Sequence, residues 1–183
     1  MSTDGVPWLV VARTALVIVV ALVLQVAVVS RLRWFGASPD LLLLVAAAAG
    51  LAGGPERGPM VGFAAGLALD VVLTTPFGLA ALSYLLVGYS VSFLHDALLR
   101  ATWSFQAATI ALASGLGMTL FVAVGLVFGQ TQFVSLRLIA IVVVVVVTNA
   151  LMSVPAVHMM RWAFEGTFRE SVEHSTGPRR TGW

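Results

Sequence analysis

Apolar runs of about twenty residues recur along this chain, and no other feature of it constrains the fold as strongly. A bilayer offers the backbone no water, so only helices and closed barrels can cross it. The runs are continuous, as in "IAIVVVVVVTNALM" at 139–152. Barrel strands would instead alternate every second residue. The segments are therefore helices. Composition agrees: 60% of the 183 residues are hydrophobic and only 10% are charged, whereas a soluble domain is about half apolar and about a quarter charged. Mean hydropathy is +1.01. The sequence is that of an all-α integral membrane protein.

Six apolar segments can be marked, at about 8–30, 39–54, 58–75, 77–95, 104–128 and 134–156. They predict a six-span membrane domain over residues 1–162 and a polar cytoplasmic tail over 163–183. The first run exceeds a signal-peptide core and no A-x-A site follows it, so it reads as a retained span. The second, "LLLLVAAAAGLAGG", is short for a full crossing. The tail, ending "ESVEHSTGPRRTGW", has the composition of a disordered end.

Arginine placement orients the chain, since cytoplasmic loops carry the excess of basic residues. With the N-terminus inside, Arg13, Arg57, Arg100, Arg161, Arg169, Arg179 and Arg180 fall on the cytoplasmic side. Only Arg31, Arg33 and Arg137 fall outside, so both termini are expected in the cytoplasm. The alternative is a re-entrant hairpin of spans two and three. It would bury the adjacent Glu56 and Arg57, which is costly in lipid.

Asp70 is the conspicuous polar residue. It lies roughly 16 Å along the third span, past the midplane toward the outer leaflet; near the bilayer centre a carboxylate costs about 2.5–3.5 kcal/mol. Gly62, Gly66 and Asp70 follow at i, i+4 and i+8 and share one helix face. The two glycines form a G-x-x-x-G pair, which admits a neighbouring helix closely. The carboxyl is thus expected against protein, as a hydrogen-bonded structural group. A proton relay, or a site for a partner helix or small ligand, are the alternatives.

Asp40 follows Pro39 at the start of span two, an ordinary helix-start arrangement. A sharper reading joins Asp40 and Asp70 into one acidic site with Arg31 or Arg33 nearby. Gln25 and Asn149 are amides at membrane depth, expected to bond between helices. His95 and Asp96 end span four and read as solvated boundary residues. Trp8, Trp34, Trp103 and Trp162 fall at span ends, where interfacial tryptophans anchor helices.

Several chemistries find no support. There is no cysteine, hence no disulfide and no thiolate nucleophile. P-loop, H-E-x-x-H and G-x-S-x-G motifs are missing, and His95, His158 and His174 lack metal-ligand spacing. A net charge of +2, with arginines flanking apolar segments, does not suggest nucleic acid. The chain reads as a non-enzyme without a cofactor.

The order of motifs across about residues 22 to 90 resembles the MreD family of rod shape-determining proteins. The resemblance rests on Gln25, on Pro39-Asp40, on the "GP" before "GFAAGLALD" with its Gly62, Gly66 and Asp70, on Pro76-Phe77-Gly78, and on Gly88-Tyr89. It implies a multi-span subunit of the elongation machinery in the bacterial cytoplasmic membrane, beside the bitopic protein MreC. It further implies a link between MreB filaments and the glycosyltransferase RodA with its transpeptidase. A fold similar to the S-component of energy-coupling-factor transporters is also implied. None of the family-pattern positions carries a catalytic role. The leading expectation is a non-catalytic scaffold controlling peptidoglycan synthesis and cell shape. The alternative is a vitamin-type transporter subunit with Asp40 and Asp70 in a ligand cavity.

Overall fold

The computed structural model describes residues 8–29, 39–73, 76–98, 102–129 and 137–165. Every element among them is helical: α1 (Trp8–Leu24) continuing into a π-helical turn (Gln25–Val29), α2 (Leu41–Asp70), α3 (Leu79–Ser92), the short α4 (His95–Leu98), α5 (Trp103–Val127), α6 (Arg137–Leu151) and α7 (Ser153–Phe164). Arg31, Arg33, Trp34 and the tail beyond Glu165 lie outside the described residues.

Two helices, Trp8–Ala27 and Trp103–Val127, are long and apolar enough to cross a membrane. The last pair, Leu138–Leu151 with Ser153–Phe164, passes as one segment bent by 59°. Pro155 explains the bend. It has no N–H for the carbonyl of Leu151, four residues back, and its ring crowds that carbonyl. The expected sixth span is therefore broken near Met152, and its second half turns across the bundle to pack on α1 and α2.

Residues 41–70 are not one rod. Gly54 has φ +66 and ψ −166, a conformation open to glycine alone. It divides α2 into a first arm, 41–53, and a second arm, 55–70, with Pro55 at the favoured opening position of the new helix. The arms fold back on one another. Along the second arm, Gly58, Gly62 and Gly66 meet Gly88, Tyr84 and Ala80 of α3 in reverse order, so this pair is antiparallel. Along the first arm, Asp40 meets Tyr84, Gly50 meets Gly88 and Leu51 meets His95 in the same order, so that pair is parallel. The two arms must then run in opposite directions. They are about 20 and about 24 Å long by helical rise, less than the roughly 30 Å of a hydrocarbon core.

The first arm is the centre of the molecule. Every residue from Leu42 to Leu51 is buried, surrounded by α1, the second arm, α3, α5 and α7. A helix apolar on all sides belongs inside a bundle. Its Ala46–Ala49 run keeps that crowd of neighbours close.

The seam between the second arm and α3 is backbone against backbone. A Cβ on Gly62 would strike the carbonyl of Tyr84, and one on Gly66 would lie 2.5 Å from the Cα of Ala81. A Cβ on Gly88 would strike Gly58. Gly115 on α5 would meet only a Val146 methyl at 3.5 Å, an ordinary contact. Gly66→Ala should therefore lower stability by about 1–3 kcal/mol, the cost of overpacking, while Gly115→Ala should lie within about 0.5 kcal/mol of the parent. Thermal unfolding in detergent, with the two variants compared side by side, measures the difference.

Candidate functional site

Polar side chains gather at the ends of this helical core. At the end opposite Gly54, Asp40 sits just before the first arm, and its Oδ1 accepts from the Leu43 N–H at 3.0 Å. Its other oxygen accepts a hydrogen bond from the Tyr84 hydroxyl of α3. Gln25 completes the cap from the π-helical turn that follows α1: its Oε1 accepts from the Leu41 N–H at 2.8 Å, and its Nε2 donates to the Pro39 carbonyl at 3.0 Å. Three elements thus close one helix start. The first N–H groups of a helix have no partner within it, and lipid would offer none.

Asp70 performs the same service for α3. Gly78 precedes that helix with φ +95 and has no side chain to offer. Asp70, at the end of the second arm, reaches across the turn instead. Its Oδ2 accepts from the N–H groups of Gly78 and Ala81, and its Oδ1 from that of Ala80, each at 3.0 Å. The residue is 3% exposed. Negative charge at a helix N-terminus also suits the dipole. Asp40 and Asp70 are each committed to a helix start of their own.

At the opposite end His95 closes the break. Leu51 is four residues before Pro55, so its carbonyl has no helical N–H to accept. His95 Nδ1 lies within hydrogen-bond reach of that oxygen. A carbonyl can only accept, so Nδ1 carries the proton. The imidazole also packs over Gly54, where a Cβ would stand 3.4 Å from His95 Cδ2. His95 is therefore not the solvated boundary residue expected from the sequence, whereas its neighbour Asp96 is exposed. Between α5 and α6, Asn149 donates from Nδ2 to Ser114 Oγ at 2.9 Å, with both side chains fully buried.

The remaining positions fall as follows. Gly62, Gly66 and Gly88 form the close seam, and Pro39 lends its carbonyl to Gln25. Tyr89 points outward, 47% exposed, its ring edge-on to Phe93 at 4.7 Å. Tyr84 and Ser114 are the polar partners that sequence reading missed. Tyr84 precedes Gly88 by four residues and so shares its face, a spacing that singles it out over Tyr89. Trp8, Trp103 and Trp162 are exposed at helix ends, and Arg13 lies 4.8 Å over the Trp162 ring. Among the described residues no group of three or more His, Asp or Glu could hold a metal ion.

Long apolar helices, a core of close-packed backbones and polar groups held at helix ends define an integral membrane protein of the helical class. A family model for the rod shape-determining protein MreD matches residues 6–164, most of the chain, and the protein belongs to that family. Its setting is a bacterial membrane and its role lies in rod shape determination. No curated protein and no solved structure matches the chain.

Replacing Asp70 tests its cap. Asp70→Leu strands three N–H groups and should cost at least about 3 kcal/mol, at about 1–3 kcal/mol for each buried unsatisfied donor. Asp70→Asn keeps one acceptor oxygen and should cost roughly half as much. Thermal melts would rank the two, and equal, complete loss in both would point to a role for the charge itself. At the other end, His95→Ala should cost about 1–3 kcal/mol by stranding the Leu51 carbonyl. Asp96→Ala should stay within about 0.5 kcal/mol, and the same melts compare them.

Proposed function

We propose that the protein is a non-catalytic scaffold of the bacterial elongation complex. It binds the bitopic protein MreC and helps couple MreB filaments to RodA, its transpeptidase and peptidoglycan synthesis. The observation that carries this reading is where the polar side chains between the helices go. Gln25, Asp40, Tyr84, Asp70, His95, Asn149 and Ser114 are each engaged in closing a helix end or joining two helices. Such a core is built to hold a shape. The outer faces of α1 and α5 are meanwhile apolar, with Leu16, Val19, Val23, Leu112 and Leu116 exposed. Surfaces of this kind meet lipid or the helix of a partner.

In this reading the chain crosses the membrane six times, by α1, the two arms of α2, α3 with α4, α5, and α6 with α7. Both termini are cytoplasmic, so the Gly54 end faces inward and the end bearing Asp40 and Asp70 faces outward. Arg13, Arg57 and Arg161 then lie inside, as the positive-inside rule asks. The likeness to transporter S-components rests on the family resemblance alone.

Affinity purification from membranes tests the assignment. The tagged protein should retain MreC and restore rod shape to a strain lacking its own copy. Recovery of an ATPase module with MreC consistently missing would sink the scaffold and favour a transporter subunit.

A further inference from the structure

Between α1 and the second arm the bundle opens into a groove of about 390 Å³. Its walls are two matched stripes, with Thr14 and Ala15 on one helix, Ala64 on the other, and Phe164 closing one end. Val11 and Met60 stand exposed at its rim. Apolar walls with nothing opposite them forfeit their dispersion contacts, so in a bilayer this space takes up apolar matter. Two charged residues, Glu56 and Arg57, line the same groove beside the Gly54 turn. Neither is ion-paired among the described residues, and the Arg57 guanidinium rests 5.4 Å from the Phe164 ring. The exposed Trp162, stacked with Arg13, belongs to this same end of the bundle. An aromatic ring with an arginine beside it marks the level of lipid headgroups.

We propose that this groove is a binding site for one phospholipid with an ethanolamine-type headgroup. An acyl chain lies between α1 and the second arm, the phosphate meets Arg57, and the ammonium meets Glu56. Charge complementarity selects this occupant. A planar guanidinium matches phosphate oxygens in a two-pronged fit. A purely anionic headgroup would satisfy Arg57 but bring its phosphate near Glu56 and leave that carboxylate without a cationic partner. A quaternary ammonium has no N–H to donate to that carboxylate. The apolar helix of a partner would cover both charges and leave them unpaired, which is costly in lipid.

The test uses the full-length protein in nanodiscs of mixed phosphatidylethanolamine, phosphatidylglycerol and phosphatidylcholine, with retained lipid read by native mass spectrometry. One phosphatidylethanolamine per protein should survive, in preference to the other two. Arg57→Gln should reduce retention of every headgroup about tenfold, the equivalent of one charge-assisted contact. Glu56→Gln should erase the preference over phosphatidylglycerol while lipid is still held. Ala64→Phe should fill the groove and expel lipid whatever its headgroup, with Ala15→Leu as the second filling variant should Ala64→Phe fail to fold. Circular dichroism confirms the fold of each. Unchanged lipid retention in Arg57→Gln overturns the proposal, and so does a photoactivatable residue at position 64 that captures a polypeptide in place of lipid.

Discussion

The fold depends on satisfying backbone N–H groups where no water can reach them. Three such groups open α3, and Asp70 accepts all three from the end of the second arm. A carboxylate at depth costs about 2.5–3.5 kcal/mol. Three stranded donors would cost about 3–9 kcal/mol in a protein interior, and lipid is a poorer medium still. The carboxyl group therefore lowers the energy of the structure that holds it. Because Asp70 ends one helix and caps the next, it also ties the second arm to α3 at this end.

That tie matters because the seam has no room for a Cβ at its glycines. Gly58, Gly62 and Gly66 lie against the backbone of α3, and Gly88 returns the contact. With α3 held this close, Tyr84 reaches past the seam to Asp40, and His95 reaches the carbonyl that Pro55 leaves free. The first arm, buried from Leu42 to Leu51, is bounded by these two contacts. One end is closed by Asp40, Gln25 and Tyr84, and the other by Gly54 and His95. Each device relieves a backbone group that a break in the helix exposes. A bundle with so few charges can contain the break at Gly54 because both ends of the first arm are closed in this way.

The close seam and the closed ends of the first arm hold the outer faces of the bundle in a fixed arrangement. Membership of the MreD family sets the role in rod shape, and the packing shows how a small chain of apolar residues can keep a defined form in lipid. The apolar faces of α1 and α5 are then available to whatever adjoins them, while the polar groups stay inside.

Much of this was legible in the sequence. Continuous apolar runs demand helices, because lipid leaves the backbone no other partner. The i, i+4, i+8 spacing places Gly62, Gly66 and Asp70 on one packed face, and Pro39-Asp40 marks a helix start. Those inferences need only local geometry. The partners were not legible, since hydrogen bonds between residues tens of positions apart depend on which helices lie side by side. Thus Tyr84 rather than the neighbouring Tyr89 meets Asp40, and Ser114 receives Asn149. His95, a boundary residue by position, caps Leu51 because the folded hairpin brings its ring over Gly54. Even here the sequence holds half of the reason: Pro55 frees the Leu51 carbonyl by covalent structure alone. Which side chain answers it was decided by the tertiary structure, because only packing sets what lies within 3 Å of an orphaned oxygen.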